Sequence, residues 1–339
     1  MRQLVFVEPG RLEWQEAPAP ALLEETDALV RPVAVATCDL DAALMAGATP
    51  VSGPFAMGHE GVAEVVETGP AVVSVRTGQR VIVPFQLSCG ACERCRRGLT
   101  GSCTVAGPGA MYGFEPFGGS WGGFLADLVR VPWADAMLLP LPEGVDPVAF
   151  ASMSDNIPDG WRTVAPYLAQ QPHAPVLVVG GGAPGVPLYA VAIAGALGAE
   201  RVDYVDHDAD RLARAERLGA NPIEGPHGRR AGRYPITVDA SADPKGLAFA
   251  LRSTEPGGTC TSIGIYWNDV AVPLLEMYTS GVVFVTGRVN DRATIPHVLE
   301  LVTRGLLHPE AVTDRIVDWD DAAEALAHHR TKTVVRRGS

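Results

Sequence analysis

The sequence predicts an α/β protein of two domains, a β-rich domain with a four-cysteine metal lobe and a doubly wound parallel sheet. Three observations predict it. The 339 residues exceed one ordinary core and suit two. Cys89-Gly-Ala-Cys92-Glu-Arg-Cys95 and Cys103 crowd four thiols into one short run. An apolar segment, Val176–Val179, leads into a glycine turn and a helix of small residues.

The elements follow in order. Short β-branched runs broken by Gly and Pro mark strands at Leu4–Val7, Leu29–Val35, Gly61–Glu67 and Arg80–Val83. From about Asp155 strands alternate with helices: Val176–Val179, a helix near Leu188–Leu197, Arg201–Asp206, then a helix near Asp210–Leu218. Crossovers of that length give parallel pairing. Later strands are expected at Ile236–Val238, Gly258–Ile265 and Val282–Val285, and a last one at Thr331–Val335. The expected division is residues 1–154, with the lobe near 88–104, a sheet domain over 155–287, and a tail, 288–339, returning to the first domain.

A net charge of −12 opposes nucleic acid and anionic membrane as partners, since both reward a basic face. A small-molecule substrate is expected instead. Residues 176–199 carry no charge, but Gly180, Gly181, Gly182, Pro184, Gly185 and Pro187 break them into a strand, a turn and a helix rather than a membrane span. Six cysteines without a secretory leader suit a reducing, cytoplasmic setting.

The spacing of Cys89, Cys92, Cys95 and Cys103 lets one loop wrap a tetrahedral cation, as structural zinc requires; a disulfide pair or unrelated thiols are the alternatives. Gly180-Gly-Gly182-Ala-Pro-Gly185 fits G-x-G-x-x-G and lies between a strand and a helix. Asp206 follows at the end of the next strand, where a carboxylate accepts hydrogen bonds from ribose hydroxyls and repels a 2′-phosphate, favouring NAD(H) over NADP(H). A βαβ unit without nucleotide is the alternative. Cys38 and His59 have the chemistry of zinc ligands, though taken alone they read better as a buried thiol and a core imidazole.

With these motifs in view, the chain resembles the zinc-dependent medium-chain alcohol dehydrogenases, within the medium-chain dehydrogenase/reductase family, over nearly its whole length. Gly58-His59-Glu60, the interval from Cys38 to His59, Gly78-Gln79-Arg80-Val81, the cysteine lobe, the glycine loop and Arg211-Leu-x-x-Ala215-x-x-Leu218-Gly219-Ala220 carry the resemblance. It implies a GroES-like catalytic domain, a Rossmann domain, two zinc ions per chain, and a homodimer or homotetramer joined through the edge at Val282–Val285. By position, Cys38 and His59 become catalytic zinc ligands. Ser154-Asp155-Asn156-Ile157-Pro158-Asp159-Gly160 resembles S-D-x-x-P-T-G and makes Asp155 the third. The resemblance also sets Glu60 behind the metal and Asp41 as the acceptor that orients His59. It places cofactor contacts at Gly180, Gly182, Gly185, Val186, Asp206 and Arg211.

One departure bears on substrate. Where the family has a Ser or Thr that relays the alcohol proton, this chain has Leu40, and Ala43 stands where a relay histidine is common. The implied activity is hydride transfer between NAD(H) and a small or medium alcohol, aldehyde or ketone. A reductase of conjugated C=C or C=N bonds, which needs no such relay, is a second reading. A zinc-stapled nucleotide-binding protein without catalysis is a third. Asp39 and Asp159 are candidate substitutes for the missing hydroxyl.

Overall fold

A computed structural model describes residues 1–328 and 331–338. They form two compact units: Met1–Pro158 with Val289–Thr303 and Thr313–Ser339, and Asp159–Arg288 with Arg304–Val312. Residues 155–158 thus stay with the first unit, although the sequence assigned them to the sheet domain. The cause is local: Ser154 Oγ donates to Gly61 O at 2.9 Å and accepts from Gly61 N at 3.0 Å, tying this segment to the first unit's sheet. Residues 304–312, expected in the tail, group with the second unit.

The first unit opens with β1 (Arg2–Glu8), β2 (Arg11–Glu16), β3 (Ala28–Ala36), α1 (Asp39–Met45), β4 (Phe55–Ala56), β5 (Glu60–Thr68), β6 (Arg80–Val83), β7 (Val129–Val131) and β8 (Leu139–Pro140). The strand β1 pairs antiparallel with β2 and β4. Antiparallel pairing also joins β3 to β5 and β5 to β6, at the centre of a larger sheet. Pro32 lacks an N–H for the ladder, and the β3–β5 register shifts just after it, which lets a proline sit inside a strand. The inward faces bury Phe6, Val30, Val65, Val83, Phe114 and Phe124 in one core.

The chain continues with α2 (Asn156–Gln170), β9 (Val176–Val179), α3 (Val186–Ala196), β10 (Val202–Asp206), α4 (Ala209–Arg217), β11 (Asn221–Glu224), β12 (Tyr234–Asp239), α5 (Pro244–Ser253), β13 (Thr254–Ser262), α6 (Leu274–Ser280) and β14 (Val283–Val285). The six strands of the second unit are ordered β11-β10-β9-β12-β13-β14, all parallel. Every residue of β9, β10 and β12 is buried, as central parallel strands covered on both faces require. The strand β13 starts at Thr254, four residues before the expected Gly258, because a register shift against β12 absorbs the Pro-Gly-Gly segment. The edge strand β11 had no apolar run to announce it.

After α7 (Asp291–Thr303) the chain returns to the first unit through β15 (Arg315–Asp318) and β16 (Thr333–Arg336). The strand β16 pairs antiparallel with β3, completing the order β15-β16-β3-β5-β6-β8 with β7 also on β3. No helix among the described residues is long and apolar enough to cross a membrane.

Candidate metal and nucleotide sites

Cys89, Cys92, Cys95 and Cys103 place their sulfur atoms within 4.8 Å of one another, and all are free thiols. The Cys92 and Cys103 sulfurs are 4.0 Å apart, close to the roughly 3.8 Å edge of a tetrahedron with Zn–S near 2.3 Å. Backbone N–H groups of Cys92, Cys95 and Ala106 point at sulfurs at 3.4 to 3.5 Å. Such donors favour thiolate, and those on Cys92, led by the Cys95 N–H, bring its thiol down to about 5. Burial instead holds Cys95 up at about 12, a cost that a bound cation removes. Cys95→Ser is therefore expected to lower the thermal midpoint and the zinc content of the chain. Full stability in chelator with all four thiols titratable would refute the lobe.

The second cluster, also within the first unit, gathers Cys38, His59, Glu60 and Asp155, whose ligand atoms lie within 4.8 Å of one another and are all buried. Cys38 is the N-cap of α1; its sulfur accepts from Leu40 N at 3.4 Å, and its own N–H donates to Asp41 Oδ2 at 2.8 Å. Gly58 precedes His59 at φ +93°, where a Cβ would meet Leu125 N at 2.8 Å, so the turn that delivers the imidazole requires glycine. The rings of Phe114 and Phe85 flank His59 at 4.7 and 5.4 Å.

Among the described residues neither buried nitrogen of His59 has a hydrogen-bond partner, although Nε2 is 3.3 Å from Asp155 Oδ2. Leaving such atoms unsatisfied costs about 1–3 kcal/mol each. Burial, with the Asp155 charge next, pushes the Cys38 thiol well above its ordinary value. Burial also pushes Asp155 up, but His59 and Lys332 more than offset it and leave the carboxyl below its ordinary range. An unpartnered imidazole, a thiol and a carboxylate converging on one dry spot form a donor set that fits zinc.

Asp41 is not hydrogen-bonded to His59 as the resemblance implied. Its Oδ2 closes the capping box of α1, its Oδ1 has no partner, and the acceptor for His59 Nδ1 is missing. The third residue of a short helix is bound to its own N-cap, which turns the carboxylate toward Cys38 N.

No motif or spacing marks Lys332 as part of this cluster. Its side chain is fully buried, with Nζ 2.9 Å from Glu60 Oε2 and 2.6 Å from Asn156 Oδ1, and it also donates to the Thr37 carbonyl. Asn156 in turn donates to Asp155 Oδ2 at 3.0 Å. Burial drives the Glu60 carboxyl up and the ammonium draws it back. Lys332 thus holds Glu60 and, through Asn156, steadies Asp155. Leu40 packs against the apolar core, while Asp159 lies in the second unit, paired with Arg162.

In the second unit, a Cβ at Gly180 would lie 2.4 Å from Asp206 Oδ2, and one at Gly182 would lie 2.8 Å from the Ala242 Cβ. Only glycine fits this loop, as close approach to a pyrophosphate demands. Gly185 is the N-cap of α3, with Val186 its first residue, and no side chain caps that end. Asp206 lies at the end of β10, 1% exposed, with Nε and Nη2 of Arg211 each donating to its carboxylate at 2.8 Å. Tyr204 Oη donates to Oδ2 at 2.7 Å, and the N–H groups of His207 and Asp208 to Oδ1 at 2.7 and 3.0 Å. Burial raises the Asp206 carboxyl, and Arg211 overcomes that to hold it low.

Residues 24–143 match the alcohol dehydrogenase GroES-like domain, and residues 185–304 match the zinc-binding dehydrogenase domain. A probable zinc-binding alcohol dehydrogenase of Mycobacterium tuberculosis is 30% identical over 98% of this chain and 86% of its own length. The zinc-type alcohol dehydrogenase B of Aspergillus flavus is 28% identical over 96% of this chain and 77% of its own. Among solved structures, an alcohol dehydrogenase from a Thermus species superposes with a TM-score of 0.89 at 28% identity, covering 100% of both chains.

Proposed function

The chain belongs to the zinc-dependent medium-chain dehydrogenase family and is an oxidoreductase; from that premise we propose that it transfers hydride between NAD(H) and a small or medium alcohol, aldehyde or ketone. The observation that carries the reading is the buried convergence of Cys38, His59 and Asp155. A zinc ion held there would polarise a substrate oxygen, and the nicotinamide would carry the hydride. The chain's own residues set the conditions. Phe85 and Phe114 keep the imidazole dry and fixed, and Lys332 holds Glu60 behind the ligands. Gly180, Gly182, Gly185 and Val186 form the nucleotide's phosphate seat. Asp206 favours NAD(H) by accepting from ribose, with Arg211 beside it. A second zinc in the cysteine lobe contributes folding free energy. Six free thiols, four of them a ligand set, support a reducing, cytoplasmic location.

Leu40 favours a second reading, reduction of a conjugated C=C or C=N bond, because an apolar side chain packed on the core cannot pass a proton. General acid–base help is worth about 10²–10⁴-fold, so Leu40→Thr is expected to raise oxidation of a simple alcohol. Steady-state turnover of both proteins with a matched alcohol and a conjugated enal decides between the readings. Ordinary alcohol turnover by the unmodified chain, unaltered by the substitution, removes the conjugated-bond reading and makes Asp39 or a water the relay. Finding a single zinc per chain and no turnover with either substrate would leave a binding protein.

We also propose a homodimer or homotetramer through β14. That strand ends its sheet, and Leu274 and Leu275 at 67% and 75% exposure, with Tyr278, Val283 and Phe284, lay apolar surface beside it. Sedimentation at the mass of one chain would exclude this assembly.

A further inference from the structure

A cavity of about 210 Å³ opens on the first unit, and none of the residues of the two clusters of candidate metal ligands lines it. It is smaller than the roughly 300–1,000 Å³ of sites for drug-sized ligands and suits a single ring. The lining is mixed: Pro18, Pro20 and Leu128 offer apolar contact and Gln3 an amide, while Trp121 and Arg130 stand together, the guanidinium carbon 5.7 Å from the indole centroid. Among the described residues no acidic side chain lines the cavity, although the chain has 39 acidic residues against 27 lysines and arginines. Arg130 is held from behind. Its carbonyl accepts from Tyr112 Oη at 3.0 Å, and its Nη1 donates to Asp27 Oδ2 at 2.8 Å. That oxygen also accepts from the N–H groups of Leu23 and Glu24 at 3.0 and 3.1 Å, so the buried carboxylate divides its charge among three donors. A guanidinium has five N–H donors, and Arg130 makes no other hydrogen bond among the described residues, which leaves its remaining donors for a ligand. The wall at Gly122 and Gly123 is pinned as well: Gly122 O accepts from Gly113 N at 2.8 Å, and Phe124 N donates to Gly58 O at 2.6 Å. Little ordering is then needed when a ligand enters.

We propose that this cavity binds a small aromatic carboxylate, its ring against the Trp121 indole and its carboxylate on the remaining donors of Arg130. A planar carboxylate meets a guanidinium through two parallel N–H donors, and a flat ring prefers an offset or edge contact with an indole. The assignment is independent of the hydride-transfer reading, since it uses neither the metal ligands nor the nucleotide loop.

The test is equilibrium binding of benzoate to the zinc-loaded full-length chain, with benzamide as the uncharged counterpart. Benzamide is expected to bind at least about tenfold more weakly, the difference between a neutral and a charged acceptor. Trp121→Ala and Arg130→Lys should each weaken benzoate by about tenfold. The lysine keeps a cation beside Asp27, and with it the fold, while losing the planar fork. His59→Ala alters the metal cluster and leaves the cavity intact, so it should bind benzoate as tightly as the unmodified chain. Loss of binding in that variant would put benzoate at the metal and overturn the proposal. Equal affinity for benzamide, an affinity that neither cavity substitution moves, or no saturable binding at about 10 mM benzoate would overturn it as well.

Discussion

Lys332→Met is expected to destabilise the first unit by about 3–5 kcal/mol, the usual consequence of removing one partner from a buried ion pair. Lys332 and Glu60 are both fully buried. Without the ammonium, burial and the Asp155 charge outweigh the Ser152 hydrogen bond on Glu60 and raise the folded-state pKa of its carboxyl further above the unfolded value. A carboxyl raised in this way binds more protons folded than unfolded, so stability falls as pH rises above the unfolded carboxyl value. The loss should therefore be large at neutral pH and relieved toward acid. Adding Glu60→Gln removes the stranded charge and should restore much of the stability. Denaturant unfolding of the two variants across a pH series measures both effects. A single variant as stable as the unmodified chain at neutral pH would show that the pair carries no weight.

His59→Ala should reduce turnover by at least about 10³-fold, since the Lewis-acid contribution at such centres is several kcal/mol. Binding of NADH should be nearly unchanged, because the nucleotide loop belongs to the other unit. Zinc analysis should show loss of the ion held by Cys38, His59 and Asp155 and retention of the one in the cysteine lobe. The fold should survive the change: removing the ring also removes a buried Nδ1 that lacks a partner, and so offsets part of the lost packing against Phe85 and Phe114. Turnover at the unmodified rate with full zinc content would take His59 out of the chemistry.

Much of this architecture was legible because its signals are local. The strand Val176–Val179 appears at its predicted bounds, since four apolar β-branched or leucine residues ahead of a glycine turn have few other solutions. The cysteine lobe was legible for the same reason, its four thiols lying within fifteen residues of one another. Edge strands were harder. Asn221–Glu224 carries no apolar run, and it is a strand because β10 offers it a parallel partner.

The sequence by itself determined the β-rich first part, the parallel sheet, the four-thiol run and the glycine loop, each written in short-range spacing or periodicity. Tertiary structure alone decided the partners. Lys332 lies far along the chain from Glu60 and Asn156, and only the pairing of β16 with β3 brings its ammonium to them. Asp41, expected on His59, turned to its own helix cap, and Asp206, expected to await a ribose, is held by Tyr204 and Arg211. Spacing shows which polar groups a chain possesses. Once buried, each must take a hydrogen-bond partner from whatever the fold brings within about 3 Å, and that selection is made in three dimensions.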